Sequence, residues 1–150
     1  MTEPASAHGS CVSVGGRGLL IRGPSGAGKS RLAFALILAG RSGLLPPTLL
    51  VADDRVLLVP RDGRLYAHAP LALAGLIEVR GAGLRRMESL AETPLDLVVD
   101  LAAADGARLP EPAALWTQLG GVMLARLPLA PGFEPLAPVL AALLTQAGPN

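Results

Sequence analysis

From Gly23 the chain reads Gly23-Pro24-Ser25-Gly26-Ala27-Gly28-Lys29-Ser30, the spelling GxxxxGK[ST], in which each fixed residue has its own physical task. The glycines let the backbone curl until successive N–H groups face one concavity, and a helix beginning at the end of the loop turns its positive terminus toward the same anion. The lysine adds a point charge for the outer phosphates of a nucleotide, and the serine hydroxyl is a ligand for magnesium. At this chain's own residue usage the pattern arises by chance roughly once in a thousand such sequences. Lys29 is also the only lysine among 13 basic residues, so a compact ammonium stands where phosphate binding needs one and arginine serves everywhere else. Such a loop requires a strand before it and a helix after it, which restricts the chain to an α/β architecture.

The flanking sequence meets that requirement. Cys11–Val14 and Leu19–Arg22 read as short strands around a Gly15-Gly16 turn, and Ser30–Gly40 as a helix that is apolar nearly all round, hence buried, and closed by Gly40. Thr48–Ala52 is a continuous aliphatic run of the kind found in strands buried on both faces. Val56–Val59 and Leu65–Ala69 flank a turn built on Asp62-Gly63, which predicts a hairpin. Further strands are expected at Leu76–Val79, Leu95–Leu101 and Val122–Leu127, with a last helix from Pro135 to Gln146. With 150 residues, 51% of them hydrophobic, and no internal repeat, the expected fold class is α/β: a single P-loop NTP-binding domain over 1–150 with a mixed sheet, residues 1–6 forming a flexible lead.

Composition removes several alternatives. A net charge of +1 with interspersed signs gives no footprint for nucleic acid or an anionic membrane, and 3% aromatics leave few platforms for base stacking. The most apolar stretch, Leu32–Ala39, is far shorter than the roughly 20 residues a bilayer span needs. No basic or apolar signal precedes Arg17, and one cysteine cannot form an internal disulfide, so a cytoplasmic setting is expected.

A P-loop enzyme needs acidic partners for magnesium and a base for the acceptor hydroxyl. Asp53 and Asp54 end the Thr48–Ala52 strand. Glu78 lies in an otherwise apolar strand, a costly place for a carboxylate that nothing ligates. Asp100 ends Leu95–Val99 in the hhhhD pattern of a Walker B strand. Spacing alone does not choose among these four. Arg80, Arg85 and Arg86 read either as a solvated edge or as a phosphate clamp. His8 reads as a solvent-exposed terminal histidine, His68 as structural, Trp116 as a core or interface anchor, and Cys11 as a small buried hydrophobe.

Taken in order, His8-Gly9, the GPSGAGKS loop, Val51-Ala52-Asp53-Asp54-Arg55-Val56 and Leu76-Ile77-Glu78-Val79-Arg80-Gly81-Ala82-Gly83 resemble the motifs of the HPr kinase/phosphorylase catalytic domain, over about Ala7 to Arg86. The chain is similar to a short form that has only this domain. The resemblance implies an enzyme that phosphorylates a serine of the phosphocarrier protein HPr with ATP and Mg2+, and that removes the phosphate with inorganic phosphate to give pyrophosphate. It implies Asp53 as the base, and as the acid in reverse, with His8 beside it in the catalytic site. Lys29 holds the phosphates, Ser30 and Glu78 bind magnesium with Asp54 as a further candidate ligand, and Ile77–Arg86, including Arg80, forms the segment used in both directions. It also implies a homo-oligomer, a hexamer in the family. The chain departs from the family pattern at Arg31, where an acidic residue is usual, in the longer Arg41–Pro47 link, and at Leu129–Phe133, where long forms carry an arginine-containing segment. Two rival readings share the loop: a small-molecule kinase, which calls for an arginine-rich lid that the sequence does not display, and a nucleotide-binding regulator without catalysis.

Overall fold

The computed structural model describes residues 5–149. Among these residues eleven strands and two α-helices follow in the order β1 (Ala5–His8), β2 (Ser10–Val14), β3 (Arg17–Arg22), α1 (Lys29–Arg41), β4 (Thr48–Ala52), β5 (Arg55–Arg61), β6 (Arg64–His68), β7 (Leu76–Val79), β8 (Gly83–Arg86), β9 (Thr93–Asp100), β10 (Trp116–Leu119), β11 (Val122–Pro128) and α2 (Leu136–Leu144). The main sheet is mixed and runs β1-β5-β6-β9-β3-β2-β4, with β11 added to β9 and β10 to β11. β3 and β11 both lie parallel to β9. The other edge of β9 changes partner midway, since Thr93 and Pro94 pair with β6 whereas Leu97–Asp100 pair with β11.

The sheet curls because two pairs of consecutive strands turn the same corner. β1 runs into β2 through Gly9, and β4 runs into β5 through Asp53-Asp54; the Gly9 N–H donates to the Asp54 carbonyl at 3.2 Å across the bend. Only glycine fits at position 9, where a Cβ would stand 2.4 Å from the Ile21 carbonyl oxygen. Asp54 takes a left-handed φ of 70° at the corner. Asp53 is thereby lifted out of a buried strand at the place where the two halves of the sheet diverge.

Alternation along the central strands feeds two cores. Leu19 and Ile21 face α1 and α2 with Val12, Leu36, Leu50, Val99 and Val139, while Leu20 faces the curled-over half with Cys11, Val56, Leu65 and Val98. Cys11 is fully buried as expected, and burial raises its thiol far above the ordinary range, so it behaves as a small hydrophobe rather than a reactive thiol. α1 is less uniformly covered than its composition suggests, since Leu38 is exposed.

Several expectations need correction. The glycine that closes α1 is Gly43, with φ 84°, not Gly40; the helix runs through Gly40, which is small because a Cβ there would meet Thr48 at 2.8 Å. β1, β8 and β10 were not foreseen. Ala-Ser-Ala-His alternates only small alanines with polar residues, Gly-Leu-Arg-Arg carries no apolar alternation, and β8, exposed at all four residues, forms a separate two-stranded ribbon with β7. The expected flexible lead differs at Ala5 and Ser6, which pair with Leu58 and Leu57; residues 1–4 lie outside the described residues. Trp116, read as a core or interface anchor, is 57% exposed on β10 and so is no core anchor. Among the described residues no helix is long and apolar enough to cross a membrane.

Candidate functional site

The Gly23–Gly28 loop joins the carboxyl end of β3 to the first turn of α1, the end of a parallel pair where ligands of α/β sheets collect. Gly28 stands at the helix N-cap with φ 99°, a conformation that only glycine adopts without strain. No side chain caps this terminus and its first turn holds no acidic residue, which leaves its N–H groups to an anion. Lys29 folds back over the loop, donating from Nζ to the Gly23 carbonyl at 2.8 Å and to that of Pro24 at 3.1 Å. The cradle is thus built around a cation. Position 23 is tight for a side chain, because a Cβ would sit 3.1 Å from the Leu101 Cβ.

Asp53 faces this loop. Its carboxylate, 4% exposed, accepts from the Ser30 hydroxyl at 2.7 Å on Oδ1 and 2.9 Å on Oδ2, from the Ser10 hydroxyl at 2.5 Å on Oδ1, and from the Glu78 N–H at 3.0 Å on Oδ2. A buried carboxylate is tolerable only when so satisfied. Of the four acidic candidates, Asp53 alone touches the P-loop serine. Ser10 is the member that sequence reasoning missed; its signal was a hydroxyl on a strand buried at every position, where a polar group must find a partner.

The side chains of the remaining candidates surround this pair without joining its hydrogen bonds. Asp54 is exposed and engages through its backbone carbonyl. Glu78 reaches Asp53 through its N–H while its side chain faces solvent; β7 alternates Ile77 inward and Glu78 outward, so the apolar surroundings read from sequence do not enclose this carboxylate. His8 ends β1 opposite Arg55, exposed at the same corner. Arg80 lies exposed in the β7–β8 turn, and Arg85 and Arg86 border a cleft of about 360 Å³ with Arg41, Phe34, Val79 and Met87. His68 is half-buried in β6.

Asp100, the Walker B candidate by pattern, serves another purpose. It receives Arg22 through two bonds, Nε at 2.7 Å and Nη2 at 2.8 Å, and Arg126 Nε at 2.5 Å; Arg126 also binds Asp105 and the Ala114 carbonyl. These contacts lock the carboxyl ends of β3, β9 and β11 together directly below the loop. Burial pushes the Asp100 carboxyl up, yet the hydrogen bonds and charges of the two guanidiniums outweigh it and hold the group below its usual range. A depressed native pKa stabilises the fold above the unfolded value, about 4, and that contribution is lost as pH falls through the native one. Asp100→Asn is expected to cost about 2 kcal/mol at neutral pH, roughly 4–8 °C in Tm, with the gap to the parent closing below about pH 4 in thermal melts.

Magnesium sites commonly use one or two carboxylates and fill the rest of the shell with phosphate and water. Among the described residues no group of three or more His, Cys, Asp or Glu side chains converges as a metal cage. One hydroxyl hydrogen-bonded to one buried carboxylate beside an anion cradle fits that donor-poor pattern.

A family model described as HPr Serine kinase C-terminal domain matches residues 1–110. The chain belongs to the HPr serine kinase C-terminal domain family. It is 37% identical over 109 residues to the HPr kinase/phosphorylase of Levilactobacillus brevis, covering 67% of this chain and 33% of that protein. It is 42% identical over 83 residues to the HPr kinase/phosphorylase of Clostridium tetani, covering 55% of this chain and 25% of that one. The chain therefore spans about a third or less of the length of these kinase relatives. The same fold occurs in the Hpr(Ser) kinase/phosphatase from Coxiella burnetii, with a TM-score of 0.71 at 22% identity over 91% of this chain and 85% of that one. The α/β architecture with a curled mixed sheet is thus the HPr kinase C-terminal fold, as the sequence motifs implied.

Proposed function

We propose that the chain is an ATP-dependent protein serine kinase acting on an HPr-type phosphocarrier, and that it also removes the phosphate by phosphorolysis. The observation that carries the reading is the buried Asp53 carboxylate set 2.7 Å from the hydroxyl of the P-loop serine. A base in that position stands beside the phosphate cradle, where an acceptor hydroxyl must arrive for in-line transfer. Kinase/phosphorylase relatives at about 37% identity support the substrate class.

Bound Mg·ATP supplies the transferable phosphoryl group and the positive charge that neutralises it. The loop N–H groups and Lys29 would hold the phosphates, and Ser30 would offer an oxygen lone pair to the metal while its O–H keeps donating to the Asp53 carboxylate, which stays free to act as a base. Glu78 and Asp54, exposed on either flank of Asp53, are the further carboxylates available to a hydrated ion. Asp53 takes the proton of the attacking serine hydroxyl as the serine oxygen bonds to phosphorus and the bond to the ADP oxygen breaks. In reverse, inorganic phosphate attacks the phosphoserine, the P–O(Ser) bond breaks, Asp53 returns the proton to the serine oxygen and pyrophosphate leaves. Microscopic reversibility gives one residue both tasks. His8 and Arg80 lie at the rim, available to an incoming phosphoprotein.

The test is radiolabel transfer from the γ-position of ATP to purified HPr, followed by excess phosphate and a pyrophosphate assay. Label on serine and its release as pyrophosphate are expected. Tight ATP binding with no labelled HPr overturns the substrate assignment and favours a small-molecule acceptor.

A further inference from the structure

We infer that Ser10 is a positioning residue for Asp53, fixing the inner side of the carboxylate so that its outer side stays directed at the P-loop. This inference rests on the reading of Asp53 as the base.

Asp53 has two oxygens and three donor groups. The Ser30 hydroxyl spans both oxygens from the P-loop side, the Glu78 N–H holds Oδ2, and the Ser10 hydroxyl holds Oδ1 at the shortest distance of the set, 2.5 Å. Ser30 and Glu78 belong to elements that phosphates and an acceptor protein would engage: the first turn of α1 and the β7–β8 ribbon, whose β8 strand and Glu78 side chain are exposed. Ser10 belongs to neither. It is 1% exposed, it opens β2, and that strand is hydrogen-bonded on both sides, to β3 and to β4. Ser10 therefore remains on Asp53 whatever occupies the site. Gly9, whose N–H binds the Asp54 carbonyl, pins the same corner from the neighbouring residue. A carboxylate restrained at one oxygen by an immobile donor presents a defined lone pair at the other, the orientation that a base must have before substrate arrives.

The experiment compares Ser10→Ala and Ser10→Thr with the parent. A donor to a charged acceptor is worth about a 10- to 100-fold change when its effect is confined to the transition state. Ser10→Ala is therefore expected to lower kcat for HPr phosphorylation by about that factor, with the KM for ATP within about twofold, because Ser10 does not touch the P-loop. Ser10→Thr, which restores a hydroxyl, is expected to recover most of the rate. The 13Cγ resonance of Asp53, assigned by its disappearance in Asp53→Asn, should shift in Ser10→Ala and return in Ser10→Thr. Equal rates in all three proteins, or loss of rate in both variants with a fall in Tm and no selective shift of that resonance, overturns the inference. Should the parent label no HPr, the kinase reading fails by itself, and the resonance alone decides whether Ser10 holds Asp53.

Discussion

Asp53→Asn is expected to lower phosphoryl transfer to HPr by about 10²- to 10⁴-fold, the range that removal of a general base produces, while leaving ATP affinity within a few-fold of the parent. The substitution keeps the shape of the side chain and discards its basicity. The amide oxygen still accepts from Ser10 and Ser30, but the amide nitrogen then confronts the Glu78 N–H, a donor against a donor across a distance now 3.0 Å. That mismatch costs about 1–3 kcal/mol, so a modest fall in Tm should accompany the kinetic loss. The two effects separate cleanly. A calorimetric titration with a non-hydrolysable ATP analogue reads the cradle, a melt reads the corner of the sheet, and single-turnover transfer reads the base. Asp54→Asn is the comparator, since the Asp54 side chain is exposed and the neighbouring corner is held through its backbone. If Asp53→Asn retains a tenth or more of the parent rate, Asp53 is not the base, and the buried carboxylate serves the metal and the fold alone.

The fold was legible wherever local chemistry and tertiary packing agree. Thr48–Ala52 and Leu76–Val79 could be bounded to the residue because turn formers end them abruptly, and the Asp62-Gly63 hairpin followed from two residues that tolerate left-handed backbone. What failed was structure made by backbone pairing alone. β1 alternates only alanines with polar residues and β8 does not alternate at all, so neither carries a strong strand signal; each pairs with an otherwise free edge, of β5 and of β7. The same limit applied to the site. The P-loop is a contiguous motif, whereas the union of Ser10, Ser30, Asp53 and Glu78 depends on a corner where Gly9 and Asp54 bend together, and no spacing along the chain encodes that meeting. Asp100 shows the opposite hazard. Its Walker B pattern was accurate about strand and position but silent about Arg22 and Arg126, which arrive from two other strands and convert a metal candidate into a brace.

Lys29→Ala is expected to weaken binding of ATP by about 100-fold or more and to reduce transfer at least as far, since the residue supplies the charge that meets phosphate in both ground and transition states. In the present geometry its ammonium rests on the carbonyls of Gly23 and Pro24, which turn its charge toward the concavity without neutralising it. Removing it leaves those carbonyls facing an incoming polyanion, so the loss should grow from adenosine to ADP to ATP, an ordering that titration calorimetry resolves. Lys29→Arg tests the matter more finely. Charge is conserved, but a planar five-donor fork replaces a compact ammonium and cannot occupy the space between two carbonyls and a phosphate in the same way. In a chain that places arginine at every other basic position, the variant makes the cradle conform to the rest of the sequence, and activity should remain close to that of Lys29→Ala. Recovery of parent affinity by arginine would show that the loop needs only a positive charge, and the single lysine would then carry no chemical meaning.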